Sequence, residues 1–99
     1  MPLNEKQRRH LRGVAHPLSP IIMLGNAGLT DSVVAETARA LLDHELIKVK
    51  VRGAERDARD QVLRQLAVRS GSELVHRIGH VGILYKAHPK LRRVQLPAD

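Results

Sequence analysis

The seven residues from Leu46 to Arg52 restrict the fold more than any other part of the sequence, because apolar and cationic side chains alternate strictly from Ile47 onward. A period of two is that of a β-strand, whose successive side chains point to opposite faces of a sheet. The apolar positions are Ile47, Val49 and Val51, and the cationic positions are Lys48, Lys50 and Arg52. The segment therefore predicts a half-buried strand with a positively charged outer face.

Three other segments have the spacing of amphipathic helices. The first begins at the N-cap Asn4 and is ended by Pro17, which is expected to push His16 out of the helical region. The second begins at Thr30 and Asp31 and extends to about His44, and the third runs from Glu55 to Ser70, with Gly71 as a left-handed stop. The expected inward positions are Leu11, Val14, Ala15; Val33, Val34, Ala38, Leu41, Leu42; and Ala58, Val62, Leu63, Leu66, Ala67.

Three more strands are predicted from short apolar runs bounded by Pro or Gly. They cover Ile21 to Leu24, Leu74 to Ile78 and Val81 to Lys86, and the last two are joined by a hairpin turn at Gly79-His80. The element order is then α-β-α-β-α-β-β. This order predicts an α/β fold, of the two-layer α+β kind, with a mixed four-stranded sheet.

Strand-helix-strand crossovers are right-handed, so the second and third helices should cover the same face of that sheet. The other face would carry Lys48, Lys50 and Arg52, and the sequence leaves the packing of the first helix open. A chain of 99 residues suits a single domain, expected at residues 1–87 and followed by a basic tail at 88–99. The tail has two prolines and few candidates for the core.

The amino-acid composition says more about the class of binding partner than about the fold. The formal net charge of +7 and the pI near 10.8 favour a polyanion, because Lys and Arg release counterions condensed on a phosphate backbone. The chain has no cysteine and no apolar stretch of membrane-spanning length, so we expect a cytoplasmic protein with no membrane partner.

The turn Gly25-Asn26-Ala27-Gly28 is the strongest candidate for a binding site. A GxxG turn between a strand and a helix lets a phosphate backbone approach main-chain amides, as in the KH module. Any tight strand-to-helix turn can use two glycines, so a purely structural role remains an alternative. Candidate RNA-binding residues are the four residues of this turn together with Lys6, Arg8, Arg9, Arg12, Lys48, Lys50 and Arg52.

Each basic cluster also has an ordinary explanation on its own. The strand lysines could discourage edge pairing, the first-helix cations could form a solvated face, and a third cluster could belong to a flexible tail. That third cluster is Lys86, Lys90, Arg92 and Arg93. Three clusters of one sign together favour a binding surface. Tyr85 is the one aromatic residue, so binding should depend on phosphates and backbone shape more than on stacked bases.

The sequence contains no pattern that predicts catalysis, a metal or a cofactor. His76 and His80 are four residues apart, but they would lie on a strand and its turn, without a carboxylate at supporting spacing. Walker, GxGxxG and nucleophile-elbow motifs are missing. We therefore expect a non-enzymatic protein that holds no metal and no cofactor.

Three phrases of the sequence resemble the CRM domain family, in particular its stand-alone bacterial YhbY-like members. They are LRGVAHPLSPIIMLGNAGLT at residues 11–30, HELIKVKV at residues 44–51 and GHVGILYK at residues 79–86. The resemblance implies a fold like the C-terminal domain of translation initiation factor three. It also implies RNA binding through the GxxG loop and association with precursor large ribosomal subunits.

Three hypotheses follow. The first is a monomeric RNA-binding factor that contacts large-subunit rRNA and assists ribosome assembly. The second is a protein-interaction module on the ribosome, whose basic surface meets an acidic partner. The third is a DNA-binding architectural protein of related topology.

Overall fold

A computed structural model describes residues 3–25, 28–53 and 55–98. Its seven elements follow the predicted order α-β-α-β-α-β-β. The helices are α1 (Glu5–Ala15), α2 (Asp31–His44) and α3 (Arg56–Ser70), and the strands are β1 (Ile22–Leu24), β2 (Leu46–Val51), β3 (Glu73–Ile78) and β4 (Val81–Tyr85). None of the helices in these described segments is long and apolar enough to cross a membrane.

The four strands form one mixed sheet in the order β1-β2-β4-β3, which confirms the predicted fold class. β1 is parallel to β2, whereas β4 runs antiparallel to both of its neighbours, β2 and β3. The carboxyl ends of β1 and β2 therefore share an edge with the β3–β4 hairpin. This edge, where Gly25 and Arg52 leave their strands, is called the loop edge below.

The main core lies between the sheet and the helices α2 and α3, which cover the same face as predicted. Its buried members are Ile22, Leu24, Leu41, Ile47, Val49, Val51, Leu63, Leu66, Ala67 and Leu84. The helix α3 approaches the sheet so closely at Gly82 that a Cβ atom there would lie 2.7 Å from Leu63 Cδ2. The alternation of β2 thus buries its apolar positions against the helices.

A second core lies on the opposite face, where α1 packs against β2 and β3. Its buried members are Leu11, Ala15, Leu46, Val75, Ile83 and Tyr85, and residues of the C-terminal segment pack against it, among them Val94 and Leu96. Leu46 lies on the same face of β2 as Lys48 and Lys50. The cationic face of the sheet is therefore only partly open, because α1 covers the half that lies farther from the loop edge.

The predicted N-caps of the first two helices are present. Asn4 forms a capping box with Gln7, in which Gln7 N donates to Asn4 Oδ1 at 2.8 Å, and Val33 N donates to Thr30 Oγ1 at 3.2 Å. The prediction for His16 was wrong, because this residue keeps helical angles (φ −50°, ψ −48°) although Pro17 follows it. The helix α1 nevertheless ends at Ala15, where the predicted end signal placed it.

Three predicted core positions, Val14, Leu42 and Ala58, are on the surface instead. The side chain of Leu42 is 45% exposed and Ala58 is exposed, whereas Thr37 is fully buried. Thr37 satisfies its hydroxyl within the helix, since Oγ1 donates to Val33 O at 2.7 Å. The spacing of hydrophobic residues does not identify such a threonine as a core residue, although a backbone carbonyl of its own helix accepts its hydroxyl proton.

The C-terminal segment is fastened to Glu45, a fully buried carboxylate at the C-cap of α2. Backbone amides of His88 and Val94 donate to it at 2.8 and 2.9 Å, and the amide of Arg93 is a third donor. Burial raises the pKa of Glu45, but these backbone hydrogen bonds and the charge of His88 outweigh it, so the pKa is lowered. The residues after Ala87 thereby close the second core.

Candidate nucleic-acid interface

The candidate loop leaves β1 at the loop edge. Gly25 is exposed, and Gly28 closes the turn by donating its N–H to Gly25 O at 3.0 Å. Asn26 and Ala27 lie outside the described residues. Gly28 has a φ of +71°, a backbone conformation that is strained for residues other than glycine. A Cβ atom at either glycine would meet no other atom within 4 Å, so the space in front of both is open to a partner.

Backbone hydrogen bonds fix the neighbours of this loop along the loop edge. Arg52 N donates to Leu24 O at 2.9 Å, and Val51 N donates to His80 O at 2.7 Å. The first bond holds Arg52 against the start of the loop, and the second joins the β3–β4 hairpin to β2. The side chain of Arg52 is exposed. This edge thus brings together two of the sequence-predicted sites, the glycine loop and Arg52.

Lys48 and Lys50 are equivalent in the alternating pattern of the sequence, but their side chains have different surroundings in the structure. Lys50 lies in register with Met23 on one side and Val81 on the other, one position from the end of β2. The ammonium group of Lys48 donates to the carbonyl oxygens of His16 at 3.1 Å and Leu18 at 2.9 Å. Lys48 therefore holds the segment that follows α1, and Lys50 is the strand cation nearer to the loop.

The α1 cations form a separate group. Arg8 Nη1 donates to the carbonyl oxygens of Leu74 at 2.8 Å and Val75 at 3.1 Å, at a β-bulge of β3, and Arg8 lies 3.7 Å from Glu73. Arg8 thus fastens α1 to the sheet. Lys6 and Arg9 are exposed and Arg12 is half-buried. Because α1 covers the half of the sheet away from the loop edge, these cations are not brought together with the glycine loop.

The start of α3 supplies cations that the sequence reasoning missed. Arg56 is exposed at the first position of the helix, and Arg59 Nη1 lies 3.3 Å from His80 Nδ1 in the hairpin. The element order could have indicated these cations, because α3 begins soon after the end of β2 and therefore starts at the loop edge. The apolar spacing of α3 identifies only its inward face, so it predicts no role for Arg56 and Arg59.

Two acidic residues near the loop edge, Asp31 and Asp60, are paired with arginines. Asp31, at the first position of α2, lies 2.5 Å from Arg69, and Asp60 is paired with Arg77. Arg77 Nη1 also donates to Gly79 O in the hairpin at 2.7 Å. These pairs reduce the repulsion that an approaching phosphate would meet from these two carboxylates.

The third basic cluster is partly structural as well. The guanidinium of Arg93 donates to the carbonyl oxygen of Asp43, while Lys86, Lys90 and Arg92 are exposed.

Residues 3–25, 28–53 and 55–98 contain no group of three or more His, Cys, Asp or Glu side chains that could hold a metal ion. His80 Nδ1 lies 3.2 Å from Val51 O, and His88 Nδ1 accepts from Leu91 N at 2.8 Å.

Comparison with known proteins gives consistent matches across the chain. The model of the CRS1/YhbY (CRM) domain matches residues 3–86. An RNA-binding protein of Haemophilus influenzae is 42% identical over 95 residues, which cover 96% of this chain and 95% of that protein. A probable RNA-binding protein of Pseudomonas aeruginosa is 43% identical over 90 residues, covering 91% of this chain and 86% of that protein.

A solved structure is similar as well. The solution structure of a hypothetical protein of Staphylococcus aureus, described as a candidate RNA-binding protein, has a TM-score of 0.85 and 31% sequence identity. The similarity covers 97% of this chain and 100% of that chain. The fold described above is thus shared with a protein of the same size and topology.

Proposed function

The chain belongs to the CRS1/YhbY (CRM) domain family, and on this premise we propose that it is a non-enzymatic RNA-binding protein. The observation that carries the proposal is the loop edge, where two open glycines lie beside Arg52 and close to Lys50. Backbone amides of such a turn can bind phosphate oxygens, and the cations add counterion release. The names of the relatives support RNA as the polyanion.

The loop can be tested by replacing Asn26 and Ala27 with aspartate. Two negative charges at the turn repel phosphates, so we expect affinity for structured RNA to fall at least about tenfold. A matched control, Ala35→Asp with Leu42→Asp, adds the same charge at exposed positions of α2 and should cost much less affinity. If the loop variant binds within about twofold of the wild type, roughly 0.4 kcal/mol, the turn has a structural role only.

The RNA that we propose is large-subunit rRNA in precursor particles, bound in the cytoplasm by the monomeric protein to assist ribosome assembly. This step rests on the family resemblance of the three sequence phrases at residues 11–30, 44–51 and 79–86. Crosslinking in cells followed by sequencing of the attached RNA tests it. We expect the reads to concentrate on precursor large-subunit rRNA, and reads spread evenly over messenger and transfer RNA would contradict it.

Two other functions predict different outcomes in the same preparations. A protein-interaction module would stay attached to ribosomal particles after nuclease treatment that removes accessible RNA. A DNA-binding architectural protein would bind duplex DNA as tightly as structured RNA at equal salt. We expect nuclease to release the protein and RNA to be preferred over duplex DNA.

A further inference from the structure

The outer end of the α1-side sheet face carries a partly exposed row of which the function above uses only Lys50. Four residues, one from each strand, are in register across the sheet: Met23 pairs with Lys50, Lys50 with Val81, and Val81 with Ile78. The side chains of Ile78 and Met23 are 63% and 49% exposed. These four residues are called the cross-sheet row. It spans about 14 Å, since neighbouring strands lie about 4.8 Å apart.

The helix α1 stops short of this row. On the same face, Ile83 is paired with Lys48 and is 2% exposed under the second core, whereas the cross-sheet row is the next set of side chains toward the loop edge. Exposed apolar side chains gathered on one face of a soluble domain mark a contact surface. Here Met23 and Ile78 are exposed at the two ends of the row, and Lys50 and Val81 between them are half-buried. The helix α1 thus covers one half of this sheet face, and the cross-sheet row lies in the half that α1 leaves uncovered.

The charge around the row favours an anionic partner. Lys50 stands in its middle, and Arg52 follows β2 at the same end. The strands β1, β2 and β4 contain no acidic residue, and the acid of β3, Glu73, is at the opposite end of its strand. An apolar surface with a central cation and no carboxylate along its strands fits a nucleobase face with a neighbouring phosphate.

We propose that the cross-sheet row holds one or two unpaired nucleotides of the RNA whose backbone passes the glycine loop. The proposal deepens the RNA-binding function and depends on it. Met23 is two residues before Gly25 in the chain, so a strand at the loop reaches the row without a long detour. Bases in a duplex cannot lay a face on the sheet, because their faces are stacked on neighbouring pairs. The row therefore gives the protein a preference for loops, bulges or ends.

The apolar ends of the row are the residues to change. Met23→Gln and Ile78→Gln remove apolar contact without removing charge, and both side chains are exposed enough for the fold to tolerate the change. Leu42→Gln on α2 is the matched control, because its side chain is 45% exposed and lies on the other side of the sheet. Thermal melting checks that all variants are folded.

The assay compares affinity for a short unpaired RNA with affinity for a blunt RNA duplex of equal length. We expect about threefold weaker binding of the unpaired RNA for each single variant and about tenfold for the double variant, because base contacts are lost. Duplex affinity should change less than about twofold, and the salt dependence should stay that of the wild type, since the row variants remove no cation.

The outcomes separate this proposal from the function on which it rests. Wild-type protein that binds neither RNA would overturn both. Wild-type protein that binds RNA, with a double variant that is unaffected or that loses duplex and unpaired RNA equally, would overturn only the cross-sheet row. Loss confined to binding of a ribosomal protein, with RNA affinity intact, would assign the row to a protein partner and overturn the proposal as well.

Discussion

The buried carboxylate of Glu45 offers a sharp test of how the C-terminal segment contributes to the fold. Glu45→Gln keeps the shape of the side chain but replaces one oxygen by an NH₂ group. Oε2 accepts the amide of His88 at 2.8 Å, while Oε1 accepts the amides of Arg93 and Val94. A glutamine can keep its oxygen on the Arg93 and Val94 side, and its NH₂ group then faces the N–H of His88, so that two donors oppose each other.

The cost follows from these three bonds. Hydrogen bonds to a charged group contribute about 1.5–3 kcal/mol each, and the variant loses one of them and the charge of the other two. We expect the free energy of unfolding to fall by about 3 kcal/mol, which lowers the melting temperature of a domain of this size by about 12–24 °C. Glu36→Gln, at an exposed position of α2, should change it by less than about 0.5 kcal/mol.

Urea denaturation of the wild type and both variants at several pH values is the measurement. Because the folded-state pKa of Glu45 lies below its ordinary value of 4.5, its contribution is present above pH 4.5 and is lost as the pH falls through the lowered pKa. The gap between wild type and Glu45→Gln should therefore narrow in acid. A variant as stable as Glu36→Gln, or a gap that stays constant down to low pH, would refute the reasoning.

Two other perturbations follow from the same structure. Gly28→Val places a β-branched residue at a φ of +71°, so we expect it to cost about 1–3 kcal/mol in denaturation and to weaken RNA binding, whereas an unchanged melting temperature would show that no strain is imposed. Burial raises the pKa of Tyr85 above 10.0 and the charge of Glu45 raises it further, against the opposing charge of Arg92. Stability should therefore be lost as the pH rises above 10.0 through the raised pKa, and in Glu45→Gln the tyrosinate absorbance should appear at lower pH.

The sequence was sufficient for the elements that local chemistry determines. The alternation of β2, the caps at Asn4 and Thr30, and the positive φ at Gly71 follow from side-chain period and backbone preference, and all are present in the structure. The placement of α2 and α3 on one face of the sheet follows from the right-handedness of strand-helix-strand crossovers, whereas the strand order β1-β2-β4-β3 was not predicted. The glycine loop could be located in the same way, although its two central residues lie outside the described segments.

The sequence did not predict which charged side chains stabilise the fold through hydrogen bonds to distant parts of the backbone. Lys48 and Arg8 look like surface cations in the sequence, and both donate to main-chain carbonyls of other elements. Glu45 looks like an ordinary helix-end acid, yet it is buried by a segment more than forty residues later in the chain. Such partners are brought together only by tertiary packing, and neither spacing nor charge pattern encodes them. A tail with few core candidates therefore conceals a structural role.

The salt dependence of RNA affinity tests the central claim, that cations at the loop edge bind RNA phosphates, most directly. With about four to six phosphates neutralised, log affinity should fall against log salt with a slope near −3 to −5. Lys50→Gln and Arg52→Gln should each make the slope shallower by about 0.7–0.9, and together by about twice that. Arg39→Gln, which removes an exposed cation of α2, should leave it unchanged. Weaker binding with the parental slope in the double variant, or the same shift with Arg39→Gln, would contradict the claim.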